Sequence, residues 1–356
     1  MFRFIGRLIL SAILLVLSAA AMVLGKYLGP LLMPFYRPVS QKVVSAISSV
    51  TGKLPFALWE ILLIALILLF FYSIIHTVVK KKHILSWISG FVLTVSLVLT
   101  LFIGLWGLNH FAEPLNETLD LPVRAYSKDE LTAAVTYYRD MANRYAPLVE
   151  RDAEGNLVEQ DFAVLAKQAG RSYLPLCGRY PIFNCDTSPV KRASLTWYPL
   201  SMTGTTGIFV CLTAESTVNP DTFIAGLPFT MCHEVAHRCC IAGEDEANFA
   251  AFLACEASDD PNFLYSGYYS AFIYCYNALF DLDSRAASAL WTSESALLRQ
   301  DCNAAHEHYD PYEGKVQDAA QELNDKYLKA FDEESGVQSY GEAADFLIAW
   351  YLQNYA

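Results

Sequence analysis

Three apolar stretches, about Phe4 to Leu24, Phe56 to Val79 and Ile84 to Trp106, limit what this chain can become. Wound at 1.5 Å per residue, each reaches across a hydrocarbon core of about 30 Å. Lipid offers the backbone no hydrogen-bond partner, so each stretch is expected as a helix that satisfies its own amides. Three crossings would leave the two chain ends on opposite sides of a bilayer.

Charge divides the chain at the same place. Residues 1–110 hold nine Lys and Arg against one acid, Glu60, whereas residues 111–356 hold 16 against 36. The expected organisation is a membrane region over 1–110, with transmembrane helices at about 4–24, 56–79 and 84–106, then an extracytoplasmic domain over 111–356. Arg3 and Arg7 precede the first stretch and Lys80-Lys81-Lys82 fill the turn between the second and third, which predicts a cytoplasmic side for both. Lys26, Arg37, Lys42 and Lys53 pull the other way, but over a longer outer loop. Were the first stretch a signal peptide cleaved near Ala19-Ala20-Ala21, the second would still begin outside. The acidic field of the second region disfavours anionic substrates. The sequence contains no internal repeat, phosphate loop or basic nucleic-acid patch.

The second region reads as mostly helical with a small sheet. Ser127 and Glu130 form a capping box for a helix to about Tyr145, with Leu131, Val135, Tyr138 and Met141 at helical spacing. From Cys177 to Pro220 the chain turns richer in Gly, Pro and Thr, and Ile208 to Leu212 is a strand candidate. Helical patterns resume at Asn262 and end with Tyr340 to Tyr355.

Chemistry concentrates in His233-Glu234-Val235-Ala236-His237, followed by Glu244-Asp245-Glu246-Ala247-Asn248. On a helix, histidines four apart share a face, so both imidazoles reach one ion while Glu234 stands beside it as general base. Zinc takes such donors tetrahedrally and keeps one corner for water in catalytic sites. The metal ligands are expected to be His233, His237 and Glu244, with Glu246 as the alternative; Asn248 would orient a histidine ligand through its other nitrogen. The three acids also suit the positive end of a helix from Glu244 to Cys255. Pro228 fits the first turn of the preceding helix and Gly243 its stop. Cys240 falls on the same helix face as the two histidines and is a further possible ligand, or else a small core residue. The run from Gly226 to Gly243 is too short and too polar for lipid, so the site is expected outside the bilayer. Tyr265, Tyr268, His306, His308 and Tyr309 are possible oxyanion donors, each also explicable by packing or surface position. Nine cysteines lie between Cys177 and Cys302, and Cys177 with Cys185 bracket a loop that a disulfide would close; buried reduced thiols are the other reading.

Leu54-Pro55-Phe56 with Glu60, Glu215 and Asn219, Phe229-Thr230 before Cys232 to His237, and Glu244 to Phe249 together resemble the bacterial membrane family called domain of unknown function 3810. Tyr265-Ser266-Gly267-Tyr268, Tyr327-Leu328-Lys329, Gly336-Val337 and Ser339-Tyr340-Gly341 extend the likeness toward the C-terminus. The resemblance implies a zincin-like metallopeptidase class and a bacterial plasma-membrane address, without a substrate. At Cys240 the family usually has Gly. The expected function is a membrane-anchored zinc metallopeptidase that cuts peptides or envelope proteins. The alternatives are a zinc-stabilised scaffold or sensor without chemistry, and a hydrolase of cell-wall material.

Overall fold

The computed structural model describes residues 2–81, 83–292, 295–331 and 339–356; Lys82 and Gly336-Val337 lie outside the described residues. The chain is mainly helical. Three helices are long and apolar enough to cross a membrane, α1 (Phe2–Thr51), α2 (Leu58–Val79) and α3 (Ile84–Leu105), and they mark the chain as membrane-associated.

α2 and α3 follow the apolar stretches closely, but α1 does not stop at Leu24. It bends at Leu28, whose φ and ψ are −121° and 16°, and then continues through Pro30, Pro34 and Pro38 to Thr51. Pro30 comes just after the bend, in the first turn of the new segment, where a missing N–H costs little. The expected outer loop is therefore helix, with Met33, Ser40, Val44 and Ser48 turned inward.

The second region packs α5 (Lys128–Tyr145), α9 (Glu244–Glu256), α10 (Pro261–Leu282) and α14 (Ser339–Asn354) into one aromatic-rich core. α5 begins at the expected box, with the Ser127 hydroxyl accepting from the Glu130 amide and the Glu130 carboxylate from the Ser127 amide. α8 (Leu227–Arg238) lies against α9 on one side and a small mixed sheet on the other. In that sheet β3 (Glu215–Val218) is central, parallel to β1 (Lys191–Arg192) and antiparallel to β2 (Gly207–Val210), which forms an edge. The strand expected at Ile208 to Leu212 is this edge, begun one residue earlier and turned away after Val210.

Two carboxylates join the sheet region to α2. Glu215 accepts from the amides of Leu58 and Trp59 at 2.9 and 3.0 Å, capping the N-terminus of α2. Glu60, in the first turn of α2, accepts in return from the amides of Ser194, Leu195 and Thr196 and the Thr196 hydroxyl. Both acids are buried with these donors around them, so helix and sheet region are tied at two points. The disulfide expected between Cys177 and Cys185 is not the one formed. Cys185 bonds Cys239, just past the end of α8, while the Cys177 thiol donates to the carbonyls of Tyr173 and Phe183.

Candidate metal centre

α8 starts with Leu227-Pro228 and presents His233 and His237 one turn apart. It ends at Arg238, short of Gly243. The Cys240 amide bonds the His237 carbonyl and the Ile241 amide bonds the Ala236 carbonyl, with Cys240 at φ +62°. This is a left-handed C-terminal cap of the kind that normally takes Gly. The helix face that would have carried Cys240 beside the histidines is thus never built. Its thiol lies 3.5 Å from the Ser40 hydroxyl, among Val44, Trp106, Cys211 and Ala242. Gly243 instead precedes α9, where Glu244 begins the next helix.

The turn brings three donor atoms together. His233 Nε2 lies 3.1 Å from His237 Nε2 and 3.2 Å from Glu244 Oε2, and His237 Nε2 lies 3.6 Å from Glu244 Oε1. Ligand atoms about 2.0–2.1 Å from a tetrahedral zinc would stand about 3.3–3.4 Å from one another. The three side chains have the separations and chemistry to hold such an ion. The far side of each ring meets an acceptor: His233 Nδ1 is 2.9 Å from the Asn248 carboxamide oxygen and His237 Nδ1 is 2.8 Å from the Ile241 carbonyl. Acceptors there favour a proton on Nδ1, which in a neutral ring turns the Nε2 lone pair to the common point. At His233 burial opposes the charged form, but the Glu244 carboxylate outweighs it and holds the ring up to about 9.

Glu234 is 3% exposed, and its Oε2 has no hydrogen-bond partner among the described residues. Burial pushes its carboxyl up to about 8. Burial also holds the His237 ring down to about 4. At Glu244 burial opposes ionisation, but the hydrogen bond from His233 outweighs it and brings the carboxyl to about 2. The start of β2 presses on Glu234: a Cβ on Gly207 would overlap the carboxylate. No signal in the sequence pointed to Gly207.

α3 reaches the cluster as well. Trp106, the residue after α3, donates its indole N–H to the His237 carbonyl at 3.0 Å and sets its ring edge-on to the imidazole. His110 stacks on Phe331 and lies 3.1 Å from the Tyr327 hydroxyl, near enough to Glu244 to feel its charge. Sequence reasoning treated Trp106 as the end of an apolar stretch and missed His110, because each meets the cluster only through tertiary contact.

The structure separates the other candidates from this cluster. Glu246 accepts from the Leu115 amide at 2.6 Å, at the start of a short helix. Tyr265 donates to Asp301, and Tyr268 donates to Glu256 at 3.1 Å. His308 lies 2.6 Å from the Asp221 carbonyl, the Tyr309 hydroxyl accepts from the Phe223 amide, and His306 is exposed. None of these contacts involves a residue of the cluster.

A family model described as Protein of unknown function (DUF3810) matches residues 35–348. No curated protein and no solved structure matches the chain.

Proposed function

This chain belongs to the DUF3810 family, and we propose that it is a multi-pass membrane protein with a zinc-dependent peptidase site on the extracytoplasmic side. The observation that carries the reading is the pairing of converging donors on His233, His237 and Glu244 with a buried, unpartnered carboxylate oxygen on Glu234. Zinc, when bound, lowers the pKa of its water and polarises a carbonyl. With that ion held by His233, His237 and Glu244, Glu234 would accept a proton from water and return it to the leaving amine. Asn248 and the Ile241 carbonyl keep the two rings from rotating. β2, at the edge of the sheet and against Glu234, offers backbone groups to an extended peptide.

The test is metal analysis and peptide hydrolysis on the full chain in detergent. His233→Ala should lose zinc, whereas Glu234→Gln should keep it and lose about 10²- to 10⁴-fold in turnover. Unchanged hydrolysis by Glu234→Gln would end the proposal. Stoichiometric zinc without hydrolysis in the parent protein would point instead to a structural zinc in a scaffold or sensor. Gly207→Ala, which crowds the carboxylate without touching a ligand, should retain zinc and lose about 10²-fold in turnover.

A further inference from the structure

Glu60 ties one part of the second region to the start of α2. It belongs to the first turn of α2, and all four of its hydrogen bonds, 2.7–3.1 Å long, go to Ser194, Leu195 and Thr196. The segment that runs into α7 (Trp197–Met202) is thereby held level with the start of α2. At that level the protein leaves three large side chains uncovered: Leu195 is 56% exposed, Trp197 41% and Tyr198 54%. The neighbouring surface is apolar too, since Phe56 is exposed before α2 and Ile61, Leu62 and Leu63 are exposed along it. The outward face of α2 therefore continues onto Leu195, Trp197 and Tyr198. Trp and Tyr suit the boundary between headgroups and acyl chains, where the ring is shielded and the polar edge stays wet.

We propose that Leu195, Trp197 and Tyr198 insert into the interfacial layer of the same bilayer that α2 enters, so that the sheet region is seated on lipid. The proposal rests on α2 and α3 being spanning helices. α7 is joined by residues 203–206 to β2, so four residues separate this element from the edge strand beside Glu234.

The test places the full chain in liposomes containing phosphatidylcholine brominated at a shallow or a deep acyl position. Tryptophan emission is compared between the parent protein, Trp197→Phe and Trp87→Phe, Trp87 being within α3. Trp197 is half-exposed, so its replacement leaves the fold intact. The emission lost in Trp197→Phe should be that of a fluorophore quenched at least about twofold more by shallow than by deep bromine. A Trp197 component untouched by bromine but quenched by aqueous iodide would overturn the proposal. Protection from both quenchers would overturn it as well, since a second copy or another protein would then cover the patch. Were the Trp87 component also indifferent to bromine at both depths, the spanning reading itself would fail and take the seat with it.

Discussion

Asp301 and Glu234 are buried to the same depth, 2% and 3% exposed, yet their surroundings are opposite. Asp301 receives two N–H bonds from Arg151, at 2.9 and 2.7 Å, and the Tyr265 hydroxyl. Glu60 and Glu215, also buried, are ringed by amides in the same way. Glu234 has an oxygen with no donor among the described residues, on the same helix turn as the two histidines whose Nε2 atoms lie 3.1 Å apart. Removing a carboxylate from water costs several kcal/mol unless donors replace the water. Where folding alone is served this chain supplies them, and at Glu234 it does not. The contrast separates an acid that holds the structure together from one that, on the function proposed here, stays available for reaction.

The largest expected effect tests that contrast directly. Asp301→Ala leaves the Arg151 guanidinium buried without its anion and should cost about 3–5 kcal/mol. In thermal melts of the full chain that is a drop of roughly 10 °C, at about 2–4 °C per kcal/mol. Glu234→Gln, at equal burial, should stay within about 1 kcal/mol of the parent, because it removes no pairing. If the glutamine variant melts as low as Asp301→Ala, Glu234 is a structural acid and the distinction is lost.

A smaller effect sharpens the same comparison at the outer side of the rings. Asn248→Ala removes the acceptor that orients His233 while leaving all three donor atoms in place. Zinc affinity, measured by competition with a chelator dye, should fall about 10- to 100-fold. An unchanged affinity would mean that packing alone sets the ring.

What the sequence made legible was local. The apolar runs of α2 and α3, the Ser127 box, the start of α9 and the histidine pair at spacing four all depend on residues within a turn or two of one another. The Asn248 contact was readable for the same reason, being four residues after Glu244. What stayed hidden joins distant positions. Cys185 meets Cys239 across 54 residues, and Trp106 meets His237 across 131. Gly207 matters only because β2 is folded onto α8. The continuation of α1 beyond Leu24 was hidden differently, because three prolines and two glycines read as loop until packing against Trp106, Phe111 and Cys211 holds them helical. The end of α8 was misread because Gly243 is the nearer stop by composition, while the actual stop is a cysteine held left-handed by its burial against Ser40, Val44 and Trp106.

That cysteine gives the smallest and most discriminating prediction. The Ile241 carbonyl reaches His237 Nδ1 only because Cys240 turns the chain at φ +62°. Glycine adopts this conformation without penalty, whereas an L side chain pays about 1–2 kcal/mol and a β-branched one more. Cys240→Gly gains that amount and loses a comparable contribution from the buried thiol, so its stability should lie within about 1 kcal/mol of the parent with zinc affinity intact. Cys240→Val keeps an apolar group of similar volume but resists the turn, and should weaken zinc binding through His237 although it touches no ligand. Equal zinc affinity in the two variants would show that the left-handed turn is not what aims the second imidazole. A loss confined to valine would tie the geometry of the metal site to one backbone angle at the end of α8.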